Sequence, residues 1–577
     1  MILQKLCEYY ERLDNDPEVD DIAKQGYSLQ SVSFKVVLEE DGSLFAIEDM
    51  REQVGKSRIS KKMVLCGNAK PSGTGFNPCF LWDNTRYLLG YKLDDDNPER
   101  TLKCFEAFRN RQLETQSLVH DKEYDAVCSF LKNWSPNNAS KHEVLLELGT
   151  GFGVFQIRGQ MHYVHEQPKV VSYYEANCLN SEAESVDGQC LVTGDKGPIA
   201  RLHEPKIKGV RGAQSAGAGI VSFNLDAFES YGKAQSYNSP VSKTAAFKYS
   251  TALNHLIDQS NQRVMVTDTT TTVFWTEKPC AGESLFSSYL NEQSSEDEGE
   301  KKSLEAALAS MRNGKMPTED LGDLKTPFYV LGLSPNAARV AVRYWMSNTL
   351  GEMLDNLKKH IQDMSLVKQY DKDPDVPMIW QLMYETAREA KEISPVLAGP
   401  LVRAILSGGI YPDAMCNAIL RRIRVDKNIN YIRCSFIKAY LTRKFYRNSN
   451  LKELPVALDE NREETSYQLG RLFSVLEKAQ EDVMPGANAT IKDRFFGSAS
   501  TTPQIVFPRL IKLNQHHMRK MENVGQKIYI EKKIQSIASA IDVFPSFLNL
   551  KDQGLFCLGY YHQRKDLFTK RKDAGDK

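Results

Sequence analysis

The stretch PFYVLGLSPN, at positions 327–336, separates two parts of the chain that differ in character. The run from Pro327 to Leu333 is mostly apolar and aromatic and predicts a strand, and Ser334-Pro335-Asn336 predicts the start of a helix. Before this stretch strand-like and helical patterns are interspersed, whereas after it nearly every segment has helical periodicity. This order predicts an α+β fold: a mixed N-terminal α/β region with antiparallel sheets, followed by an all-α C-terminal helical bundle.

The first predicted strands of the N-terminal region form a hairpin at 30–48, whose turn is Glu40-Asp41-Gly42-Ser43. Further runs predict strands at 143–148, 153–157, 161–172, 189–193, 219–223, 263–267 and 272–276. Helical patterns lie at 100–116, 120–133 and 243–260. The strands cluster rather than alternate strictly with helices, which favours α+β over a doubly wound sheet.

The C-terminal region is predicted to be helical over 336–362, 377–392, 396–406, 412–424, 429–446, 463–481 and 504–547. Within it Leu469, Leu472, Phe473 and Leu476 follow the i, i+3, i+4, i+7 spacing of one helix face. The segment NSNLKELPV at 448–456 breaks the pattern, and the tail 564–577 is basic and predicted to fray. We therefore expect domains at 1–335, 336–455 and 456–577, with an exposed and mobile acidic loop near 291–302.

Composition bounds the class of protein. A chain of 577 residues is too long for one hydrophobic core, and its 74 basic and 74 acidic residues balance to zero net charge. No apolar run is long enough to predict a membrane span, and the charged N-terminus is unlike a signal peptide. The 11 cysteines form no CxxC motif, which is typical of reduced thiols in a cytoplasmic protein.

The strongest enzyme-like signal is VLLELGTGFG at 144–153. A β-run followed by glycines resembles the first motif of Rossmann-type methyltransferases, which would make the chain an S-adenosylmethionine-dependent enzyme acting on RNA or DNA. That motif requires a helix directly after the glycines. Here Val154 to Ile157 predict a strand instead, so a hairpin with a glycine bulge is the favoured interpretation. The sequence shows no other catalytic constellation, and we expect neither enzymatic activity nor a cofactor.

The most informative segment for function is PKIKGVRGAQSAGAGIVSFN, at 205–224. Glycines let the backbone approach a ligand closely, and cations among them suit phosphates. From Lys206 to Lys248 there are six Lys or Arg and two acids, a local excess of four positive charges in a neutral chain. A solvated turn is the alternative interpretation of this composition.

Three other segments have a composition typical of nucleic-acid contact. Residues 56–77 carry five cations and no acid. Residues 421–447 carry nine cations against the single acid Asp426. Residues 509–533 carry seven cations diluted by acids. The first of these segments is also consistent with an ordinary surface loop.

Four blocks in order resemble one family. They are NAKPSGTGFNPCFLWDN, ARLHEPKIKGVRGAQSAGAGIVSFNLDAFESYG, QSYNSPVSKTAAFKYSTALNHL and LGLSPNAARVAVRYW. This chain resembles the large subunit of the type I-C CRISPR interference complex, or Cascade. The resemblance implies a non-catalytic subunit that reads the protospacer-adjacent motif in double-stranded DNA, while guide RNA pairing reads the target sequence.

The resemblance also implies unwinding of the duplex, stabilisation of the displaced strand and recruitment of a helicase-nuclease. The implied partners are the backbone subunits with their CRISPR RNA, the target DNA, the helicase-nuclease and a small subunit. The small subunit is similar to residues 456–577, and a separate product starting near Val456 is a hypothesis. The implied motif-reading and wedge residues are Asn68, Lys70, Ser72, Gly73, Thr74, Lys206, Lys208, Arg211, Gln214, Ser215, Gln235, Tyr237, Asn238, Lys243 and Lys248. The implied displaced-strand residues are Arg421, Arg422, Arg424, Lys438, Arg443 and Lys444.

Overall fold

The structure is a computed structural model that describes residues 1–569, except 18, 20, 56, 68–74, 179–185, 224, 260–261, 268–269, 284–285, 287–288, 290–305, 316–320, 395, 448–450 and 487. The chain forms two compact units. The first comprises Met1–Gly209, Ala213–Asp258 and Asn336–Val340, and the second comprises Val210–Gly212, Gln259–Pro335 and Ala341–Lys577. The predicted acidic loop at 291–302 lies outside the described residues.

The first unit combines one five-stranded sheet with helices and two small hairpins. Its helices are α1 (Ile2–Asp14), α2 (Thr85–Leu88), α3 (Pro98–Val119), α4 (Lys122–Asn133), α5 (Glu143–Leu148), α6 (Pro168–Asn177) and α7 (Lys243–Asp258). Its strands are β1 (Tyr27–Leu38), β2 (Leu44–Asp49), β3 (Glu52–Val54), β4 (Ser57–Ile59), β5 (Lys61–Cys66), β6 (Trp82–Asn84), β7 (Phe152–Ile157), β8 (Asp187–Gln189) and β9 (Lys196–Pro198).

The sheet of the first unit is built around β1. The predicted hairpin is confirmed, because β1 pairs antiparallel with β2 and Gly42 takes the positive φ that its turn requires. The strand order is β2-β1-β7-β6, and β5 pairs antiparallel with the N-terminal part of β1. The β1–β7 pair is parallel, so the sheet is mixed. Apolar residues of β1, including Phe34 and Val36, share a core with α3 and α4.

The second unit contains a four-stranded sheet and a helical region. Its strands are β10 (Arg263–Thr267), β11 (Thr270–Thr276), β12 (Pro327–Asn336) and β13 (Arg339–Thr349), in that spatial order. Its helices are α8 (Leu350–Met364), α9 (Ile379–Tyr384), α10 (Ala398–Ser407), α11 (Asp413–Asp426), α12 (Tyr431–Leu441), α13 (Thr465–Val483), α14 (Ile491–Ala499), α15 (Pro503–Lys520), α16 (Val524–Ala538) and α17 (Leu550–Phe568). The α+β class with a helical C-terminal region is confirmed.

The helical region has one continuous hydrophobic core that runs from the sheet residue Phe274 to Tyr561 on α17. The predicted stripe Leu469, Leu472, Phe473 and Leu476 is buried on α13. Gly470 and Gly559 let α13 and α17 approach so closely that an added Cβ at either position would overlap the opposing backbone. Helices on both sides of residue 455 contribute to this core, since α12 packs on α17. The predicted boundaries at 335 and 455 stay predictions.

Several secondary-structure predictions were wrong. The run 143–148 is helix α5, 161–172 contains the start of helix α6, and 219–223 forms no strand. Ser334-Pro335-Asn336 ends strand β12 rather than starting a helix, and the chain returns as β13 before α8 begins at Leu350. Helix α17 continues to Phe568 within the predicted frayed tail. In the described part of the chain, no helix is both long and apolar enough to cross a membrane.

Candidate nucleic-acid interface

The predicted glycine-rich loop is held closed at its base in the first unit. Ile207 and Ala218 form an antiparallel bridge with backbone hydrogen bonds of 2.9 and 2.8 Å. Asn254 on α7 clamps one side of that base: its Oδ1 accepts from the Lys208 backbone N–H at 2.8 Å and its Nδ2 donates to the Lys206 carbonyl at 3.0 Å. The loop therefore starts and ends at positions fixed by a helix.

Lys206 and Lys208 lie on one exposed face of this loop. In extended backbone alternate side chains point to opposite sides, and here Ile207 is buried while the lysines on either side of it are exposed. Neither ammonium makes a side-chain hydrogen bond or ion pair within the described residues. The Glu204 carboxylate interacts electrostatically with both lysines but accepts no hydrogen bond from either ammonium among the described residues, so both cations can still contact a phosphate backbone.

The glycines of the loop have a steric reason for their presence. Gly217 takes φ +95°, and an added Cβ there would lie 2.7 Å from the Lys206 Cβ. Gly209 takes φ +79°, and its Cβ would lie 2.8 Å from the Ile257 Cγ2. Left-handed backbone and close packing both select glycine, so the loop conformation depends on these two positions.

The predicted base-edge readers on this loop are exposed. The side chains of Gln214 and Ser215 make no hydrogen bond within the described residues, and the turn between Gln214 and Gly217 is closed by a 2.9 Å backbone hydrogen bond. Arg211, in the short segment assigned to the second unit, is exposed as well. The exposed Gln214 amide and Ser215 hydroxyl are therefore available to hydrogen-bond base edges.

The predicted motif-reading residues Gln235, Tyr237 and Asn238 lie in a later loop that contains a short 3-10 helix, Gln235–Asn238. Asn238 uses its side chain inside the loop: Oδ1 accepts from Ser230 N at 2.8 Å, and Nδ2 donates to the carbonyls of Lys233 and Gln235 at 2.5 and 2.9 Å. The Oε1 atom of Gln235 accepts from Arg201 at 2.8 Å. Asn238 therefore stabilises the loop, and its amide has no donor left for a base.

Sequence reasoning missed Tyr231, which this loop presents at the tip of a tight turn. Ser230 and Lys233 pair across the turn, with a 3.0 Å hydrogen bond from Lys233 N to the Ser230 carbonyl. Tyr231 and Gly232 have φ of +53° and +69°, as in a type I′ turn. A tyrosine in this region costs about 1 kcal/mol or more, yet its side chain is 98% exposed. In the sequence, the glycine that follows Tyr231 is the feature that could have indicated this turn.

Two further predicted phosphate contacts lie on α7. Lys243 begins the helix and is half-buried. Lys248 is also half-buried, and its ammonium pairs with Glu11 on α1 at 2.9 Å. An exchange of partners would be required before Lys248 could bind a phosphate.

The predicted wedge residues Asn68, Lys70, Ser72, Gly73 and Thr74 lie outside the described residues. Cations that precede them are partly neutralised in the first unit. Arg58 pairs with Asp49 and Glu147 at 3.0 and 2.9 Å, and Lys62 pairs with Asp258. The acid-free composition of 56–77 therefore overstates its positive charge in the fold.

The predicted displaced-strand residues of α11 differ in availability. Arg421 is exposed and makes no ion pair with any described residue. Arg422 pairs with Asp426 at 2.6 Å, and Arg424 donates to the Gln553 Oε1 at 3.2 Å. Beyond this helix, Lys444 pairs with Asp413 at 2.5 Å. Arg421 is the member of this set best placed to meet DNA.

Lys438 and Arg443 are buried, which corrects their assignment to a surface. The Arg443 guanidinium contacts the Asp363 carboxylate at 2.7 Å, donates to the carbonyls of Ala404 and Gly409, and lies 4.2 Å from the centre of the Tyr411 ring. Lys438 donates to the Asp363 carbonyl at 3.0 Å, and burial lowers the pKa of Lys438 to about 8. Nearly every residue of α12 is buried, so its cations contribute to the interior of the bundle.

Helix α15 contains the first part of the segment 509–533, whose cations are diluted by acids along the sequence. Arg509, Lys512, His516 and Lys520 recur at helical spacing and are all exposed. The three basic residues make no ion pair within the described residues, and α15 itself contains no acid. This helix therefore exposes a denser cationic face than α12 does.

The family model described as CRISPR-associated protein (Cas_Csd1) matches residues 6–568, which is nearly the whole chain. The chain belongs to the Cas_Csd1 family of CRISPR-associated proteins. A comparison with curated proteins finds no match.

The glycine loop of this Cas_Csd1 protein at 149–153 does not have the methyltransferase arrangement. Helix α5 precedes the glycines and strand β7 follows them, the reverse of the strand–loop–helix order that cofactor binding requires. Gly153 lies on the ring of Phe34, and Gly151 lies against Ser33, both on β1. These glycines allow β7 to pack beside β1. Among the described residues, no group of three or more His, Cys, Asp or Glu side chains is placed to hold a metal ion.

Proposed function

We propose that this chain is the non-catalytic large subunit of a type I-C CRISPR RNA-guided surveillance complex. It recognises the protospacer-adjacent motif in double-stranded DNA, helps to unwind the duplex, stabilises the displaced strand and recruits the helicase-nuclease. It works in the cytoplasm, without a cofactor, beside the backbone subunits with their CRISPR RNA and the small subunit. Membership of the Cas_Csd1 family supports the CRISPR effector context.

The exposed glycine-rich loop in the first unit carries the proposal for motif recognition. Lys206 and Lys208 are exposed on one face, and their loop is clamped at its base by Asn254. Phosphate contacts set the register of a protein on DNA, and polar side chains beside them read the bases. Gln214 and Ser215, exposed on the same loop, are the proposed base readers.

Charge reversal tests this assignment in the assembled complex. Lys206→Glu with Lys208→Glu removes two cations and adds two anions, so affinity for target duplex should fall at least about tenfold at low salt. The matched control is Lys103→Glu with Lys141→Glu, which alters two exposed lysines of the first unit outside the loop. Electrophoretic mobility shift and filter binding measure both variants beside the parent.

Base reading requires a second comparison in the same assay. Gln214→Ala should cost roughly 1–3 kcal/mol of binding free energy on the preferred motif and less on a scrambled one. Equal losses on both DNAs would remove Gln214 from the reader set. Unchanged binding by the double charge reversal would show that the loop has a structural role only.

The displaced strand requires a separate surface. We propose that Arg421 on α11 and the cationic face of α15 provide it, because these cations are exposed and make no ion pair within the described residues. Single-stranded DNA is held mainly by charge and stacking rather than base identity. Arg509→Glu with Lys512→Glu should weaken protection of the displaced strand from nuclease digestion, whereas Lys444→Gln should not.

A further inference from the structure

The loop that carries Tyr231 has the features of a stacking platform. The Tyr231 ring is 98% exposed, and the turn that holds it has two residues with positive φ. The Asn238 side chain bonds to both Ser230 and Lys233, so the two ends of the turn are tied together. A solvent-exposed aromatic ring on a turn whose two ends are tied offers a π-face to any nucleobase without requiring a particular sequence.

A cavity of about 650 Å³ adjoins this turn through Lys233. That size falls within the range of about 300–1,000 Å³ found for small-molecule sites. The residues that line it include Ile199, Tyr237 and Pro240 of the first unit. A cavity with one aromatic and several apolar walls suits a planar heterocycle that has left a base stack.

The polar groups at this cavity specify which part of a nucleotide it can take. Asp187 supplies a carboxylate, and the Gln189 amide already donates its Nε2 to the Gly194 carbonyl, which leaves its oxygen as an acceptor. Two acceptors suit the exocyclic amino group of cytosine or adenine and disfavour a phosphate. Lys233 also lines the cavity and is exposed, and its positive charge suits the phosphate of the same nucleotide.

We propose that the turn Ser230–Lys233 and its adjoining cavity bind unpaired DNA, with one base stacked on Tyr231 and a neighbouring base inside the cavity. This inference rests on the proposed function, since a protein that opens a duplex beside a motif generates such bases. It adds a site that holds the bases apart after opening. Asp187 gives the cavity a preference for amino-bearing bases over thymine.

The test uses the full-length chain and fluorescein-labelled 12-nucleotide single strands at low salt, with binding followed by anisotropy. Tyr231→Ala should raise Kd about fivefold or more, the usual effect of losing one stacked base. Tyr231→Phe retains the ring and should bind within about twofold of the parent. The matched control is Tyr370→Ala, because Tyr370 is 57% exposed in the second unit, outside this loop.

A strand of the same length with abasic sites separates stacking from charge. The parent and Tyr231→Ala should bind that strand equally, since no base remains to stack. For the cavity, the parent should bind oligo-dC at least about twofold more tightly than oligo-dT, and Asp187→Asn should reduce that difference. Each of these outcomes supports one part of the proposal.

Other outcomes overturn the proposal. Equal affinity of the parent and Tyr231→Ala for the base-bearing strand, or no binding of that strand by the parent, would show that the ring contacts something else, such as a neighbouring protein. The Lys206→Glu, Lys208→Glu variant distinguishes the two hypotheses. If this variant loses affinity for target duplex while Tyr231→Ala keeps the parent's affinity for the single strand, the motif-recognition proposal stands and the proposed base-binding site is wrong.

Discussion

Two cationic segments of the chain, the pair Lys206 and Lys208 in the first unit and helix α12 in the second, lie in opposite environments. Lys206 and Lys208 are exposed and make no ion pair with the described chain. Arg443 and Lys438 are buried on or directly after α12 and bond to Asp363. A charge count along the sequence gives the same sign for both segments. The difference is whether most of the neighbouring positions are apolar, as they are on α12.

The largest expected effect concerns the buried ion pair between Arg443 and Asp363. Arg443→Met leaves Arg447 as an ion-pair partner of the Asp363 carboxylate, with Lys438 nearby, and leaves the Ala404 and Gly409 carbonyls without this donor. Removing one partner of a buried ion pair costs about 3–5 kcal/mol of unfolding free energy. The shift of the urea midpoint measures this loss. Arg421→Met, an exposed control on α11, should change stability by less than about 0.5 kcal/mol.

The sequence contained the signal that separates these two environments. Apolar residues dominate α12 even though Arg433, Ser435 and Lys438 interrupt them, and a helix that is apolar over most of its circumference is largely buried. The long-range partners were not predictable in the same way. Asp363 is 80 residues from Arg443, and no local pattern links the two. The same holds for Asn254, which clamps a loop 46 residues away.

Two errors in secondary structure have local causes. The turn between β12 and β13 is Ala337-Ala338, and Ala337 takes φ +52° without the glycine or asparagine that usually marks such a hairpin. The run Val144 to Leu148 is short and apolar, and periodicity alone does not distinguish a strand from a helix at that length. The stripe on α13 was predictable because its spacing repeats over two turns.

The second prediction changes the conformation of the exposed loop that carries Lys206 and Lys208 and leaves its charges intact. Gly217→Ala places a Cβ in left-handed backbone and 2.7 Å from the Lys206 Cβ. We expect a local cost of about 1–3 kcal/mol, displacement of Lys206 and weaker binding of target duplex by the complex. Hydrogen exchange of the loop and a mobility shift measure the two effects. Gly194→Ala is the matched control, because Gly194 also has positive φ but its Cβ would meet open space. Full DNA affinity in Gly217→Ala would mean that loop geometry is irrelevant to binding.

The third prediction concerns the pH dependence of the buried side. Lys438 has a pKa of about 8 in the folded chain, lowered by burial from its ordinary value of 10.5. Between these pH values the unfolded chain binds more protons, so this group makes stability rise with pH. Lys438→Met removes the effect, and the gain from pH 7.5 to 9.5 should be about 1–2 kcal/mol larger in the parent than in the variant. Urea titrations at both pH values measure it. Parallel pH profiles for the two proteins would show that Lys438 titrates in the fold as it does in water.

The smallest expected effect is a single neutralisation on the exposed loop, and it is the sharpest contrast with Arg443. Lys206→Gln should leave the urea midpoint unchanged, because the Lys206 ammonium makes no ion pair within the described residues. In the assembled complex it should lower the slope of log K against log salt by about 0.9, the value for one lost phosphate contact on duplex DNA. The loss should be nearly the same on preferred and scrambled motifs, since a phosphate contact carries no base information. A loss confined to the preferred motif would instead place Lys206 against a base edge, and an unchanged slope would place it away from DNA.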